Sequence, residues 1–254
     1  DFTVGDAAVS YGLRGLGFEV RSITLRRPTL RARLHDGVLS LGSLDPLVDY
    51  FRKKPPTPGT PEPRIRIEDG VLLLATDYGP LRLTVDATVQ DGRLVSMAAR
   101  SAPARLRGQA FDLALGAGAA NFLTTGQRVA LTLDAPAERL RAGGFTANGA
   151  RLRLTAAAPY PDLKLKRLDG AVALQASLAG DDLALKGVRL DGPSVSATIE
   201  GQGGGGLADF SFAGAAGAEL RAGAAVLGGT RLGPVRASLK AADLRWTRKG
   251  GDAL

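Results

Sequence analysis

Between Leu81 and Val89 every second residue is apolar: Leu81, Leu83, Val85, Ala87 and Val89 alternate with Arg82, Thr84, Asp86 and Thr88. Successive side chains of a β-strand point to opposite faces, so this stretch has one apolar and one polar face. The same period of two recurs in LRARL (30–34), FDLALGA (111–117), VALTLDA (129–135), ARLRLTAAA (150–158), VALQASLAG (172–180), LALKGVRL (183–190) and VSATIEG (195–201). The pattern predicts antiparallel strands covered on one side only. About eighteen strand candidates follow along the chain, more than a typical sheet holds, which requires a sandwich, a barrel or one long curved sheet.

Asp-Gly pairs stand at 36–37, 69–70, 91–92, 169–170 and 191–192. Between alternating runs such a pair predicts a tight hairpin turn, because its central residues need positive φ and Gly adopts that without steric cost. Two intervals match, 91 − 69 = 22 and 191 − 169 = 22, which reads as a loose serial repeat of hairpins.

Three segments interrupt this rhythm. LDPLVDYFRKK (44–54) predicts a short helix over 45–53, with Asp45 at its N-cap, Pro46 in its first turn and basic residues in its last. PPTPGTPEP (55–63) predicts an extended linker. AGAANFLTTG (117–126) predicts a helical turn near Asn121 and Phe122, and GQGGGG (201–206) a long flexible loop, since no Lys-Ser/Thr and no helix follow it as a phosphate loop requires. The chain thus divides into a β-unit with a short helix (1–54), a linker (55–63) and serial hairpins (64–254).

The 34 glycines, 5% aromatic content, single Trp246, single Met97 and absence of Cys point to a thin core of small side chains without disulfides or thiolate chemistry. The net charge of +8 suits an anionic partner. Nucleic acid is not expected: the basic residues sit singly on alternate strand positions, as Arg31 and Arg33, Arg105 and Arg107, Arg151 and Arg153, Lys164 and Lys166, without aromatic platforms for bases. The only histidine, His35, abuts an Asp-Gly turn, and no nucleophile elbow, carboxylate pair or ligand cluster has catalytic spacing. No enzyme, cofactor or metal is expected.

The stretch ITLRRPTLRARLHDGVLSLGSLDPLVDYF (23–51) resembles the strand, Arg-Pro turn, strand and short helix near the start of AsmA-like proteins. PRIRIEDGVLLLATDYGPLRLTVDATV (63–89) is similar to the element that follows in the YdbH branch of that group, with TamB proteins more distant. The resemblance covers about the first hundred residues and fades to strand periodicity beyond Arg100. It implies a bridge-like protein of the Gram-negative envelope, held in the inner membrane by an N-terminal anchor outside this chain. Such a protein crosses the periplasm as a repeating, taco-like β-groove that conducts phospholipids, with a small outer-membrane lipoprotein as partner.

The expectation is therefore a mainly β fold, a long curved antiparallel sheet forming an elongated open groove. The expected lining is Leu30, Leu34, Leu81, Leu83, Val85, Val89, Leu113, Leu131, Leu133, Leu152, Leu154, Val172, Leu174 and Leu178. Arg31, Arg33, Arg105 and Arg107 are candidates for headgroup contacts at a rim, or else solvated charges of the outer wall. Three alternatives stay open. A closed sandwich would bury the same faces against each other, a structural or adhesive β-solenoid would show a tighter repeat, and an outer-membrane barrel would carry aromatic girdles.

Overall fold

The computed structural model describes residues 2–14, 17–36, 38–46, 62–161, 167–206 and 209–247. Strand makes up 79% of it and helix 2%, and the strands form one large open mixed sheet. Two compact units divide the chain, residues 1–109 with 116–121, and residues 110–115 with 122–254.

The first unit contains β1 (Phe2–Thr3), β2 (Asp6–Arg14), β3 (Gly17–Arg26), β4 (Thr29–His35), β5 (Val38–Ser40), β6 (Arg64–Thr76), β7 (Gly79–Gln90), β8 (Arg93–Ser101) and β9 (Ala104–Arg107). β1 and β2 form one long antiparallel arm against β3 and β4, with Phe2 opposite Leu30 and Asp6 opposite Arg26. β6 then runs parallel to both β3 and β4, Ser22 opposite Arg64 and Leu34 opposite Thr76, so the sheet is not antiparallel throughout. β6 starts beside Ser22 and ends beside Leu34, in the same direction as β3 and β4, which a tight turn at the end of an arm could not produce. β7 and β8 return to antiparallel pairing.

The second unit contains β10 (Phe111–Leu115), part of β11 (Gly118–Thr125), β12 (Arg128–Ala142), β13 (Phe145–Pro159), β14 (Gly170–Ala179), β15 (Asp182–Leu185), β16 (Val188–Asp191), β17 (Ser194–Gly204), β18 (Ser211–Ala222), β19 (Ala224–Leu227), β20 (Thr230–Leu232) and β21 (Val235–Thr247). Several of these are halves of longer arms. β14 with β15 pairs along β16 and β17, Ala179 opposite Ser194 and Asp182 opposite Asp191, and the tight turn falls at Lys186-Gly187. LALKGVRL is thus a hairpin and not a single strand.

The breaks within these arms line up. They fall at Glu138 in β12, Gly149 (φ +58°) in β13, Gly180-Asp181, Gly192-Pro193, Gly223 and Gly233-Pro234. At each one the apolar set changes parity. Val129 to Ala137 is odd and Leu140 even; Leu152 and Leu154 are even and Ala147 odd; Leu174 and Leu178 are even and Leu183 odd; Val195 and Ile199 are odd and Leu190 even. Ala218 and Leu220 are even and Ala225 odd, while Ala237 and Leu239 are odd and Leu232 even. A one-residue insertion turns the following side chains over, so this switch keeps the apolar residues on one side while the arm bends. The breaks together form a crease across six neighbouring arms, and its backbone stays paired: Gly180 donates to Pro193 O (3.0 Å), Gly192 to Asp181 O (2.8 Å) and Gly223 to Asp191 O (2.9 Å).

The first unit repeats the device. Val4-Gly5, Arg27-Pro28 and Asp69-Gly70 lie side by side; Arg27 N–H donates to Glu68 O (2.8 Å) and Val71 N–H to Pro28 O (2.7 Å). Apolar parity changes from Ile23 and Leu25 to Leu30 and Leu34, and from Ile65 and Ile67 to Leu72 and Leu74.

Small residues occupy the creases. Ala147 (4% exposed), Ala150 (6%), Ala222, Ala224 and Ala225 (4%) are buried beside the second, and Pro28, Gly70 and Ala32 lie buried at or near the first. Where a sheet bends inward its flanks converge, and only short side chains fit there. No large side chain is fully buried among the described residues. The accessible surface is 16912 Å², against roughly 10,600 Å² for a compact chain of this mass. That excess does not suit a closed sandwich.

Several expectations change. Asp91-Gly92 (φ +49° and +68°) is a hairpin turn, and Asp36 (φ +48°) lies in the link over which His35 pairs with Val38. Asp69-Gly70 is a bulge inside β6, Asp169-Gly170 opens β14, and Asp191-Gly192 lies at the crease. Residues 117–126 form mostly strand β11, because pairing overrides a weak local helical tendency. Gly201 to Gly204 belong to β17, where the missing side chains leave room for rings: a Cβ at Gly201 or Gly214 would strike Phe212 Cζ (2.8 Å in each case). The helix expected over 45–53 lies, beyond Pro46, outside the described residues, as do most of the linker, Lys164 and Lys166; its described residues 45 and 46 are helical and follow a 3-10 turn at Gly42–Leu44, with Asp45 accepting from Leu41 N–H (2.7 Å) and Ser40 Oγ (2.6 Å).

Candidate functional site

Cross-strand partners share a face, so the register spells out what each face carries. In the second unit three rows cross β12, β13, β14, β17, β18 and β21 without a polar side chain. They read Ala135–Leu152–Leu178–Val195–Leu220–Ala237, Leu133–Leu154–Ala176–Ala197–Ala218–Leu239 and Leu131–Ala156–Leu174–Ile199–Ala216–Ala241. Two shorter rows continue them, Val172–Gly201–Gly214–Leu244 and Gly170–Gly203–Phe212–Trp246. Beyond the crease the series resumes as Leu113–Leu140–Ala147–Leu183–Leu190–Ala225–Leu232.

At about 4.8 Å per strand and about 6.8 Å between alternate positions, the three six-strand rows cover about 24 by 14 Å and the two four-strand rows about 14 by 14 Å more, on the order of 500 Å² together. That is comparable with the largest apolar patch of a typical monomer. Most of its members are half-buried, and Leu239, Leu244 and Trp246 are exposed. Trp246 and Phe210 meet at 6.3 Å between ring centroids, tilted by 51°.

The first unit has a corresponding face. Its rows are Val9–Ile23–Ile65–Val89–Leu94 and Ala7–Leu25–Ile67–Ala87–Met97, then across the crease Phe2–Leu30–Leu72–Leu83 and Ala32–Leu74–Leu81. Val85 pairs with Gly70 and Ala99 between them, and Leu34 pairs with Thr76 at the far end.

The opposite faces are polar and knit by ion pairs. Arg151 donates to both oxygens of Asp134 (2.7 and 2.6 Å), and Arg221 to both oxygens of Glu219 (2.7 and 2.9 Å). These guanidinium hydrogen bonds hold the Asp134 and Glu219 carboxyls below the usual carboxylate range. Being exposed, such pairs add little to stability and serve mainly to keep this side in water. Arg26 reaches Asp6 and Glu68, each at 3.3 Å.

All seven lining candidates from Leu131 to Leu178 fall on the second unit's face, and Leu113 lies across its crease. Leu30, Leu34, Leu81, Leu83, Val85 and Val89 fall on the first unit's face. Arg31 and Arg33 pair with Leu73 and Ala75, on the side away from Leu30 and Leu34. Arg105 and Arg107 are exposed on either side of half-buried Leu106. Sequence reasoning missed Val195, Ile199, Leu220, Phe212 and Trp246, although the parity of VSATIEG already marked Val195 and Ile199.

One polar cluster stands apart. His35 Nδ1 lies 2.5 Å from Asp77 Oδ1, Asp36 N–H donates to Asp77 Oδ2 (3.0 Å), and His35 Nε2 lies 3.5 Å from Asp36. The hydrogen bond to Asp77, then the Asp36 charge, raises the His35 pKa above its ordinary value; the same bond lowers that of Asp77. The three groups lie close enough together to share a cation, and all are exposed. Their visible role is to fasten the β4–β5 link to the β6–β7 turn. No family model, curated protein or solved structure matches the chain.

Proposed function

We propose that this chain is a segment of a periplasm-spanning bridge that conducts phospholipids between the inner and outer membranes, of the AsmA-like type and its YdbH branch. The observation that carries this reading is the uninterrupted apolar face on each unit, together with a core that reaches full burial almost only at alanines. A face of Leu, Val, Ile and Ala offers hydrocarbon a favourable surface at about 25 cal/mol per Å² and no hydrogen-bonding group to select one molecule. Acyl chains lie on this face while headgroups stay in water. In this reading the inner membrane holds the protein through an anchor outside this chain, and a small outer-membrane lipoprotein receives its far end. The work done is partition and passage, without a catalytic step, cofactor or metal.

The test is photocrosslinking from Leu83 and, in the second unit, from Leu154, followed by mass spectrometry of the adducts. Phospholipid adducts at both positions are expected. Adducts to protein alone, with both positions protected from solvent, would return the chain to a closed sandwich.

A further inference from the structure

The β2–β3 hairpin outruns the sheet that supports it. β6 pairs with β3 only from Ser22 onward, so among the described residues no strand pairs with residues 11–20 on that side. The apolar face nevertheless continues onto this tip. Ser10 pairs with Ser22 but Tyr11 with Val20, which leaves Arg21 as an extra residue and keeps Tyr11, Val20, Leu13 and Phe18 on the side of Val9 and Ile23. Three of them are among the most exposed large apolar side chains of the described residues, Phe18 at 82%, Leu13 at 69% and Tyr11 at 63%, and Val20 is exposed at 37%. Arg21 folds across Gly12 on the other side, where a Cβ would collide with its guanidinium.

The charge of this region is net positive. Residues 6–31 hold Arg14, Arg21, Arg26, Arg27 and Arg31 against Asp6 and Glu19, so 5 − 2 = +3, and within residues 11–22 Arg14 and Arg21 stand against Glu19. Aromatic and aliphatic side chains on one face of a short element, with arginines behind them, suit the boundary between acyl chains and anionic headgroups. Basic residues near such a surface are drawn to it over a Debye length.

We infer that the tip of the β2–β3 hairpin, through Tyr11, Leu13, Phe18 and Val20, inserts into the interface of an anionic bilayer and forms a lip from which acyl chains pass onto the first unit's apolar face. The lip rests on the lipid-conduction reading for its purpose, though its membrane contact can be measured independently. Arg21 meets headgroup phosphate while the rings lie at the level of the ester groups.

The experiment is flotation of the whole chain with phosphatidylcholine vesicles, with and without phosphatidylglycerol, at low and high salt. Binding is expected with phosphatidylglycerol, weakened by salt, and reduced about tenfold or more in a Leu13→Asp, Phe18→Asp variant. Since the chain has no Cys, a Phe18→Cys variant can carry a single fluorophore, and bromine-labelled lipids should quench it. Equal flotation of the double variant, or no wild-type flotation, overturns the proposal. So does a wild-type dimer that this variant converts to monomer without lipid, which would assign the tip to contact between copies. Trp246 emission on addition of detergent-solubilised phospholipid separates the two readings. If it responds equally in wild type and variant, the apolar face accepts lipid whatever the lip does; if it responds in neither while flotation depends on the tip, the lip stands and conduction falls.

Discussion

Gly180 donates its backbone N–H to the carbonyl of Pro193 at 3.0 Å, joining two arms of the second unit at the point where both are interrupted. Pro193 has no N–H to return and Gly180 has no side chain to obstruct the bend, so each residue supplies what its neighbour lacks. Repeated across the unit, this logic produces a bent sheet without loss of hydrogen bonds. The bend is therefore built into the strands and not imposed by a covering layer.

The crease is tight at its centre, around Gly149 and Ala150, and open at Gly233. Ala150→Leu should destabilise the chain by about 1–3 kcal/mol through overpacking. Gly149→Ala should cost about 1–2 kcal/mol, because its φ of +58° disfavours a Cβ and Asp181 occupies the space. Gly233→Ala, with open space and no positive φ, should stay within about 0.5 kcal/mol. Urea unfolding of the three variants tests the order; equal effects would mean that the crease carries no packing constraint.

The glycine run of β17 is a second sensitive point. Gly201→Val places a side chain against Phe212, the Gly214 Cα and the Ala213 carbonyl at once. A loss of about 3 kcal/mol or more is expected, since most of the obstruction is backbone that cannot step aside. Phe212→Ala should relieve part of this, so a double-mutant cycle with both changes should show coupling, whereas strict additivity would separate the ring from the glycines.

Much of this was legible in the residues. Period-two alternation located most strands and the faces on which the lining leucines fall. The parity switches, such as Leu178 to Leu183 across Gly180-Asp181, were equally present in the letters and mark the crease. The Asp-Gly pairs misled because positive φ serves both a hairpin turn, as at Asp91, and a bulge, as at Asp69. Residues 201–204 read as loop because glycines carry no pattern; the partner that makes them a strand, Phe212, lies on another arm. The parallel seam of β6 depends on where a long connection lands, which no local periodicity encodes.

The His35–Asp77 link should respond to pH in a defined window. The His35 pKa is raised in the fold, so its contribution is fully present below 6.5 and disappears as pH rises through the higher folded value. That of Asp77 is lowered, so its contribution is present above 3.8 and disappears as pH falls through the lower folded value. The link is therefore complete between these limits. NMR titration of the sole histidine should give a midpoint above 6.5 in the wild type and one returned toward 6.5 in Asp77→Asn. An unchanged midpoint would show that the pair does not persist in solution.

The proposed lipid contact on the second unit has a built-in reporter, the single Trp246 at the end of the row from Gly170. At 51% exposure its indole faces both the apolar rows and water, so acyl chains on that face should shift its emission to the blue. Leu154→Asp with Leu174→Asp places two carboxylates on neighbouring rows of the face and should abolish the shift. Circular dichroism should keep its strand signature, since neither residue is fully buried and the ladder is backbone-borne. Leu83→Asp with Val85→Asp should leave the Trp246 shift intact while stopping transfer of labelled phospholipid between donor and acceptor vesicles. The proposed passage would need both faces, whereas occupancy of one unit needs only its own. If Leu83→Asp with Val85→Asp transfers lipid at the wild-type rate, the two faces do not act in series and conduction along the sheet is the wrong description.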